Sequence, residues 1–395
     1  LPLVDDQKKL VDYAINFKLN KIPVSEPQFL GNEILYLNDC INSGWISSAG
    51  KYINLFERSF SKFIKSKYPL STTSGTTALH LALASLGIKK NDEVIVPNLT
   101  FISPVNAAIY LGAKPVLVDF DENNLCLDPK KIEKAISKKT KAIVLVYLYG
   151  HGCDIIKIRK IAKKYKLFLV EDCAEGMGTY CKNKHVGNFG DASTFSFFGN
   201  KTITTGEGGM VCFKKKKYYE IAKKLRDHGM SPKKRYWHDH VGFNYRMTNM
   251  QAAVGLAQME RLKFFIKQKK KIAKKYRFYL NKNKQIFFSK NFLNTKSSYW
   301  LYYIKLKEKI SFARDKIIDH LLKNGIEARN GFYPAHLMDP YKKFSSKKNN
   351  LDSSIKLSKS IIALPSSVNL EDKEIKDICE NLNIVLKKFD NDKRL

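Results

Sequence analysis

The chain has 395 residues, 44% of them hydrophobic and 12% aromatic, enough to bury a large core and too apolar for a disordered or fibrous protein. Its formal charge of +33, from 70 Lys and Arg against 37 Asp and Glu, raises nucleic acid or an anionic membrane as a partner. Only ten of those cations are arginine, the residue suited to bidentate reading of bases and phosphates. The excess is therefore read as a lysine-rich solvated surface, with no nucleic-acid partner expected.

Seven cysteines are scattered without a CxxC pair or zinc-like spacing. That argues against a disulfide framework or a structural metal and suits a reducing cytoplasm. No apolar run reaches the roughly 18–20 residues of a membrane span, so the expectation is a soluble intracellular protein without a membrane partner.

In chain order, residues 1–24 read as an N-terminal helical extension, since QKKLVDYAINF spaces its apolar residues as an amphipathic helix does. From about residue 28 helical stretches (31–41, 52–64, 76–86, 155–165) alternate with short apolar runs (93–97, 115–120, 142–150, 167–172). Runs apolar throughout imply strands covered on both faces, and their alternation with helices implies a largely parallel α/β sheet. Helices dominate from 249 to about 280, followed by the strand-like WLYYIKL, a helix at 311–323 closed by Asn324 and Gly325, a short IEAR strand, and a final helix near 373–386. The organisation expected is a large domain over 25–265 and a smaller α+β domain over 266–395.

Three segments carry chemistry. In STTSGTTALHLALASLG a Ser-Gly-Thr-Thr turn opens an apolar helix, and the free amides and dipole at such an end favour an anion, with Gly75 allowing close approach. An ordinary helix cap has the same residues. In LFLVEDCAEGMG a strand ends in Glu171 and Asp172 with Glu175 close behind; ligands of open α/β sheets lie beyond the carboxyl ends of the strands. In STFSFFGNKTITTGEGGMVCF, Lys201 follows an aromatic run that can desolvate an amine and lower its pKa, as a nucleophilic lysine requires. In that order, a phosphate cradle, a strand-end Asp and a lysine with Ser196 five residues before it match the needs of a pyridoxal 5′-phosphate (PLP) site.

These segments, with GNEILYLNDCINSGWISSAGKYINLFE, NDEVIVPNLTFISPVNA and VGFNYRMTNMQAAVGLAQME, resemble the DegT/DnrJ/StrS family of sugar aminotransferases over about residues 23–367. SFFGNKTITTGEGGM and RYWHDHVGFNYRMTN are most similar to its GDP-perosamine synthase branch, which aminates C4 of GDP-4-keto-6-deoxymannose. The resemblance implies the PLP-dependent aminotransferase fold type I, a large domain with a mostly parallel seven-stranded sheet plus a smaller α+β domain. It implies Lys201 as the amine that bonds to the cofactor and shuttles protons, and Asp172 on the pyridine nitrogen. Glu175, where many relatives have Gln or His, falls near the ring hydroxyl. Gly75, Thr76 and Ser196 fall on the phosphate, Phe101 is stacked on the ring, and Asn244 reaches the phosphate of a neighbouring subunit in a homodimer. Trp45, Tyr333 and His336 match regions lining the sugar pocket.

The implied reaction takes the amino group of L-glutamate, leaving 2-oxoglutarate, through pyridoxamine 5′-phosphate to a nucleotide-linked 4-keto-6-deoxy sugar. UDP- or dTDP-linked sugars and C3 amination stay open as alternatives. A dehydratase branch of the family carries His at the position of Lys201, so the lysine argues against that reaction.

Overall fold

The computed structural model describes residues 2–7, 9–13, 22–121, 125–345 and 350–391. At the N-terminus the helix expected over 1–24 is replaced, within the described residues, by a hairpin of β1 (Pro2–Val4) and antiparallel β2 (Leu10–Tyr13). The Asp5 carboxylate accepts the amides of Gln7 (3.0 Å) and Lys9 (2.9 Å). That Asx-type turn engages amides a helix would need. Residues 14–21 of the expected helix lie outside the described residues. Ile22 and Val24 already run along the C-terminal part of the chain, where the Ile22 amide meets the Gly325 carbonyl at 3.1 Å and the Val24 amide meets Glu327 Oε2 at 2.9 Å.

The main sheet is built from β3 (Tyr68–Thr72), β4 (Glu93–Pro97), β5 (Lys114–Val118), β6 (Thr140–Val146) and β7 (Phe168–Asp172). A small hairpin, β8 (Tyr180–Cys181) and β9 (Lys184–His185), precedes its last two members, β10 (Ala192–Ser196) and β11 (Gly209–Phe213). The spatial order is β3-β11-β10-β7-β6-β4-β5, and β11 alone of the seven runs against the others.

Alternation explains the all-apolar strands. Ile95, Ile143, Leu145 and Leu169 feed one core, packed by helices Lys51–Ile64, Ile155–Lys164 and the first half of Asn249–Leu280. Their neighbours Val94, Val96, Ala142, Val144 and Val170 feed another under helices Gly75–Ser85 and Ser103–Tyr110. Successive side chains point to opposite faces, so in these strands, covered twice, neighbouring positions are both apolar.

The smaller part holds β12 (Ile286–Phe288), β13 (Thr295–Lys296), β14 (Tyr302–Leu306), β15 (Arg329–Asn330) and β16 (Ile361–Leu364). Four of them form an antiparallel sheet in the order β12-β14-β16-β15, while β13 pairs with β8. Helix Asn249–Leu280 is continuous, yet its later residues Ile272, Ala273, Tyr276 and Leu280 belong to the core of this second sheet. A further cluster, including Leu99, Val146, Tyr149, Trp300, Leu301 and Ala363, joins the strand ends of the large sheet to the small one. A cavity opens at this joint.

Candidate active site

A cavity of about 470 Å³ lies beyond the carboxyl ends of the parallel strands. Its floor begins at helix Gly75–Ser85. Ser74 and Thr77 cap each other, the Thr77 amide on Ser74 Oγ (3.1 Å) and the Ser74 amide on Thr77 Oγ1 (3.0 Å), which fixes the helix start. The amides of Gly75 and Thr76, at its first two positions, have no intrahelical acceptor. A Cβ on Gly75 would stand 2.8 Å from the Cβ of Ser196, so glycine is what lets β10 approach. Thr76 Oγ1 and Ser103 Oγ are 2.6 Å apart, and with Ser196 they line the same corner. Two free amides and three hydroxyls at a helix N-terminus suit a phosphate.

Asp172 and Glu175 form the next part of the floor. Asp172 ends β7, is buried, and accepts the Ala174 amide on Oδ1 at 3.0 Å. Burial pushes its carboxyl up to about 6, while the Ala174 amide and the Lys201 charge pull the other way. Glu175 takes the Tyr149 amide on Oε2 at 2.6 Å and turns Oε1 toward Lys201 Nζ at 3.6 Å. Burial raises it to about 7 against the opposing Lys201 charge.

Lys201 has a side chain only 13% exposed, and its ammonium lies over the Trp300 ring, 3.8 Å from the centroid. Burial lowers its pKa, while Glu175 and Asp172 work to raise it. A lysine held in this way among two carboxylates and an aromatic face has the surroundings that a nucleophile or proton carrier requires.

Glu171, one residue from Asp172, points the other way. It accepts the Tyr147 hydroxyl (2.6 Å) and the amides of Gly187 (2.8 Å), Phe189 (2.6 Å) and Gly190 (2.6 Å), anchoring a loop behind the sheet. The pleat thus divides the pair: Glu171 faces the loop behind the sheet and Asp172 faces the cavity.

The cavity brings together Gly75, Thr76, Phe101, Asp172, Glu175, Ser196 and Lys201 of the residues singled out in the sequence. Phe101 remains 59% exposed at its edge, 6.3 Å from the Phe332 ring. Four others lie elsewhere. Asn244 is exposed and bridged to Asp227, away from this chain's own cavity. Trp45 lines a separate cavity with Asp39, Lys51 and Asn249, where its carbonyl accepts Asn249 Nδ2 at 2.6 Å. Tyr333 turns its ring toward Arg314, and His336 binds Asn98 Oδ1 through its amide (3.2 Å) and Nδ1 (3.0 Å).

Their chain neighbours line the cavity instead: Arg329, Asn330 and Phe332, with Trp300, Leu301 and Tyr149. Sequence reasoning missed these because WLYYIKL carries only a strand pattern and a lone Arg carries no motif. Stacking links them: the Tyr149 ring is 6.3 Å from Trp300 and 5.8 Å from Phe332, nearly parallel to both.

This arrangement fits PLP on the chain's own residues. The Gly75 corner suits a phosphate, Asp172 is a buried carboxylate without an ion pair among the described residues, and Lys201 offers an amine. Residues 28–383 match the DegT/DnrJ/EryC1/StrS aminotransferase family model. The chain is 45% identical over 359 residues to a GDP-perosamine synthase of Vibrio cholerae, covering 91% of this chain and 97% of the relative. It is 44% identical over 362 residues to that of Escherichia coli O157:H7, covering 92% and 98%. Among solved structures, a putative sugar aminotransferase of Streptococcus pneumoniae in its PMP form superposes with a TM-score of 0.88 at 28% identity, covering 94% of this chain and 98% of that one.

Proposed function

The chain belongs to the DegT/DnrJ/EryC1/StrS family of PLP-dependent sugar aminotransferases, and from that premise we propose that it moves the amino group of L-glutamate to C4 of a GDP-linked 4-keto-6-deoxy sugar. The observation that carries the reading is the Lys201 amine between Glu175 and Trp300 in a cavity whose far corner accommodates a phosphate. The sugar and nucleotide follow the relatives named for GDP-perosamine synthesis.

Bound here, PLP supplies an aldehyde carbon that accepts amines and a ring that takes up the electron pair left when a substrate carbon loses its proton. The remaining work belongs to the chain. The Gly75 and Thr76 amides, with the hydroxyls of Thr76, Ser103 and Ser196, would hold the phosphate. Asp172, raised to about 6 by burial, ionises readily once a cationic ring nitrogen faces it. Lys201 Nζ takes a proton from Cα of the amino donor and delivers one to C4 of the sugar, a role typically worth about 10²–10⁴-fold. Glu175 holds that amine from one side, its own orientation set by the Tyr149 amide.

A homodimer with shared sites is part of the proposal. Asn244 is exposed and outside its own cavity, which supports a role in a partner's site. Helix Glu33–Asn42 and the loop after it present Ile34, Leu35, Ile41 and Trp45 to solvent, an apolar surface suited to a second copy. Among the described residues no helix is long and apolar enough to cross a membrane, and we assign the enzyme to the cytoplasm.

The test is incubation of the PLP-loaded protein with glutamate and a panel of GDP-, UDP- and dTDP-linked 4-keto and 3-keto sugars, with products identified by mass and NMR. The C4-aminated GDP sugar is the expected product. Absence of turnover with every 4-keto-6-deoxy sugar would overturn the assignment.

A further inference from the structure

Lys269, a buried cation in the middle of helix Asn249–Leu280, has no part in the proposed reaction. Its ammonium donates to the carbonyls of Trp300 (2.9 Å) and Ser366 (2.9 Å), and among the described residues no carboxylate pairs with it. Both acceptors are tied further. Ser366 Oγ takes the Tyr302 amide at 2.8 Å, and the Trp300 indole donates to the carbonyl of Asn200, the residue before Lys201, at 2.8 Å. The Trp300 ring then carries the Lys201 ammonium on its face. Three side chains thus form one line, from the long helix through the joint between the sheets to the reactive amine.

A buried ammonium facing only carbonyls is costly to maintain, and burial lowers the Lys269 pKa to about 7. Its geometry gives it a use. An amine that takes a proton from carbon becomes an ammonium in this cavity, where Glu175 and Asp172 favour the charged form and the indole adds a cation–π contact. We infer that Lys269 is a positioning residue for Lys201: by gripping the Trp300 carbonyl it holds the indole as the surface on which the Lys201 ammonium rests. This rests on the reading of Lys201 as the proton-carrying amine.

The test uses the full-length protein freed of PLP, with acetic anhydride as probe and acetylation at Lys201 followed by peptide mass spectrometry across pH. At a fixed pH below the labelling midpoint, Trp300→Leu raises the Lys201 rate about threefold to thirtyfold, because the ammonium loses the ring face. Lys269→Met produces a rise of the same sign, Lys269→Arg restores the wild-type profile, and the Lys269→Met/Trp300→Leu double variant goes no further than Trp300→Leu alone. A folded Lys269→Met with an unchanged profile overturns the inference, as does full additivity in the double variant. Should Lys269→Met fail to fold, Trp300→Phe and Trp300→Leu decide: equal Lys201 rates overturn the inference, and slower labelling in the Phe variant supports it. Because this readout involves no sugar, the predicted labelling pattern stands as support even where the amination panel fails.

Discussion

The floor and the wall of the cavity come from different parts of the molecule and are built differently. The floor (Gly75, Asp172, Glu175, Ser196 and Lys201) stands at the ends of parallel strands, where buried backbone fixes each side chain. The wall (Trp300, Leu301, Arg329, Asn330 and Phe332) comes from the smaller antiparallel sheet. Charge is concentrated on the floor, whereas the wall offers aromatic faces and one guanidinium, itself bound to Glu327 at 2.6 Å. On the proposed function this is a division of labour: the groups assigned to bond-making stand at, or within five residues of, the ends of the large sheet's strands, and the groups assigned to the rest of the substrate stand on the element packed over them.

Three substitutions test this division of labour. The largest effect is expected on the floor, where Lys201→Ala should abolish the yellow absorbance of the lysine-bound cofactor and lower turnover by on the order of 10⁴-fold. Full transaminase turnover in that variant would remove Lys201 from its role.

A smaller effect is expected on the wall. Phe332→Ala removes a ring stacked 5.8 Å from Tyr149 and should raise the KM for the sugar about tenfold, more than it lowers kcat, with the cofactor absorbance retained. Bleaching of that absorbance would show that the wall also holds the cofactor and would break the division.

The smallest effect is a pH dependence of stability. Glu175 is raised from 4.5 to about 7 in the folded chain, so the folded state binds this proton more tightly than the unfolded one. Its contribution to stability is full below about pH 4.5 and is lost as pH rises through about 7. Urea unfolding of the PLP-free protein at pH 5 and pH 8 should give a smaller drop in stability for Glu175→Gln than for the wild type. Equal drops would mean that Glu175 does not titrate in this window.

The floor was legible in the chain because its chemistry is local. Gly75 opens a helix that Ser74 caps, Asp172 ends an apolar run, and Lys201 follows Ser196 by five residues. The wall was legible only to within a few positions: RNGFYPAHL points to the right loop, yet Arg329, Asn330 and Phe332 line the cavity while Tyr333 and His336 are held by Arg314 and Asn98. The N-terminal segment misled for a related reason, since apolar spacing in QKKLVDYAINF suits a helix while the Asp5 side chain closes a hairpin.

Apolar runs mark the doubly covered parallel sheet in the chain, because strands buried on both faces are apolar at successive positions, and the glycine corner, the acids and the lysine stand out there because each lies at, or within five residues of, a strand or helix end. Tertiary structure alone decided which member of the Glu171–Asp172 pair faces the chemistry, which residue of a loop turns inward, and that Lys269 and Trp300 stand behind Lys201. These depend on pleat, rotamer and contacts between residues far apart in the chain, and none of them leaves a period or a spacing to read.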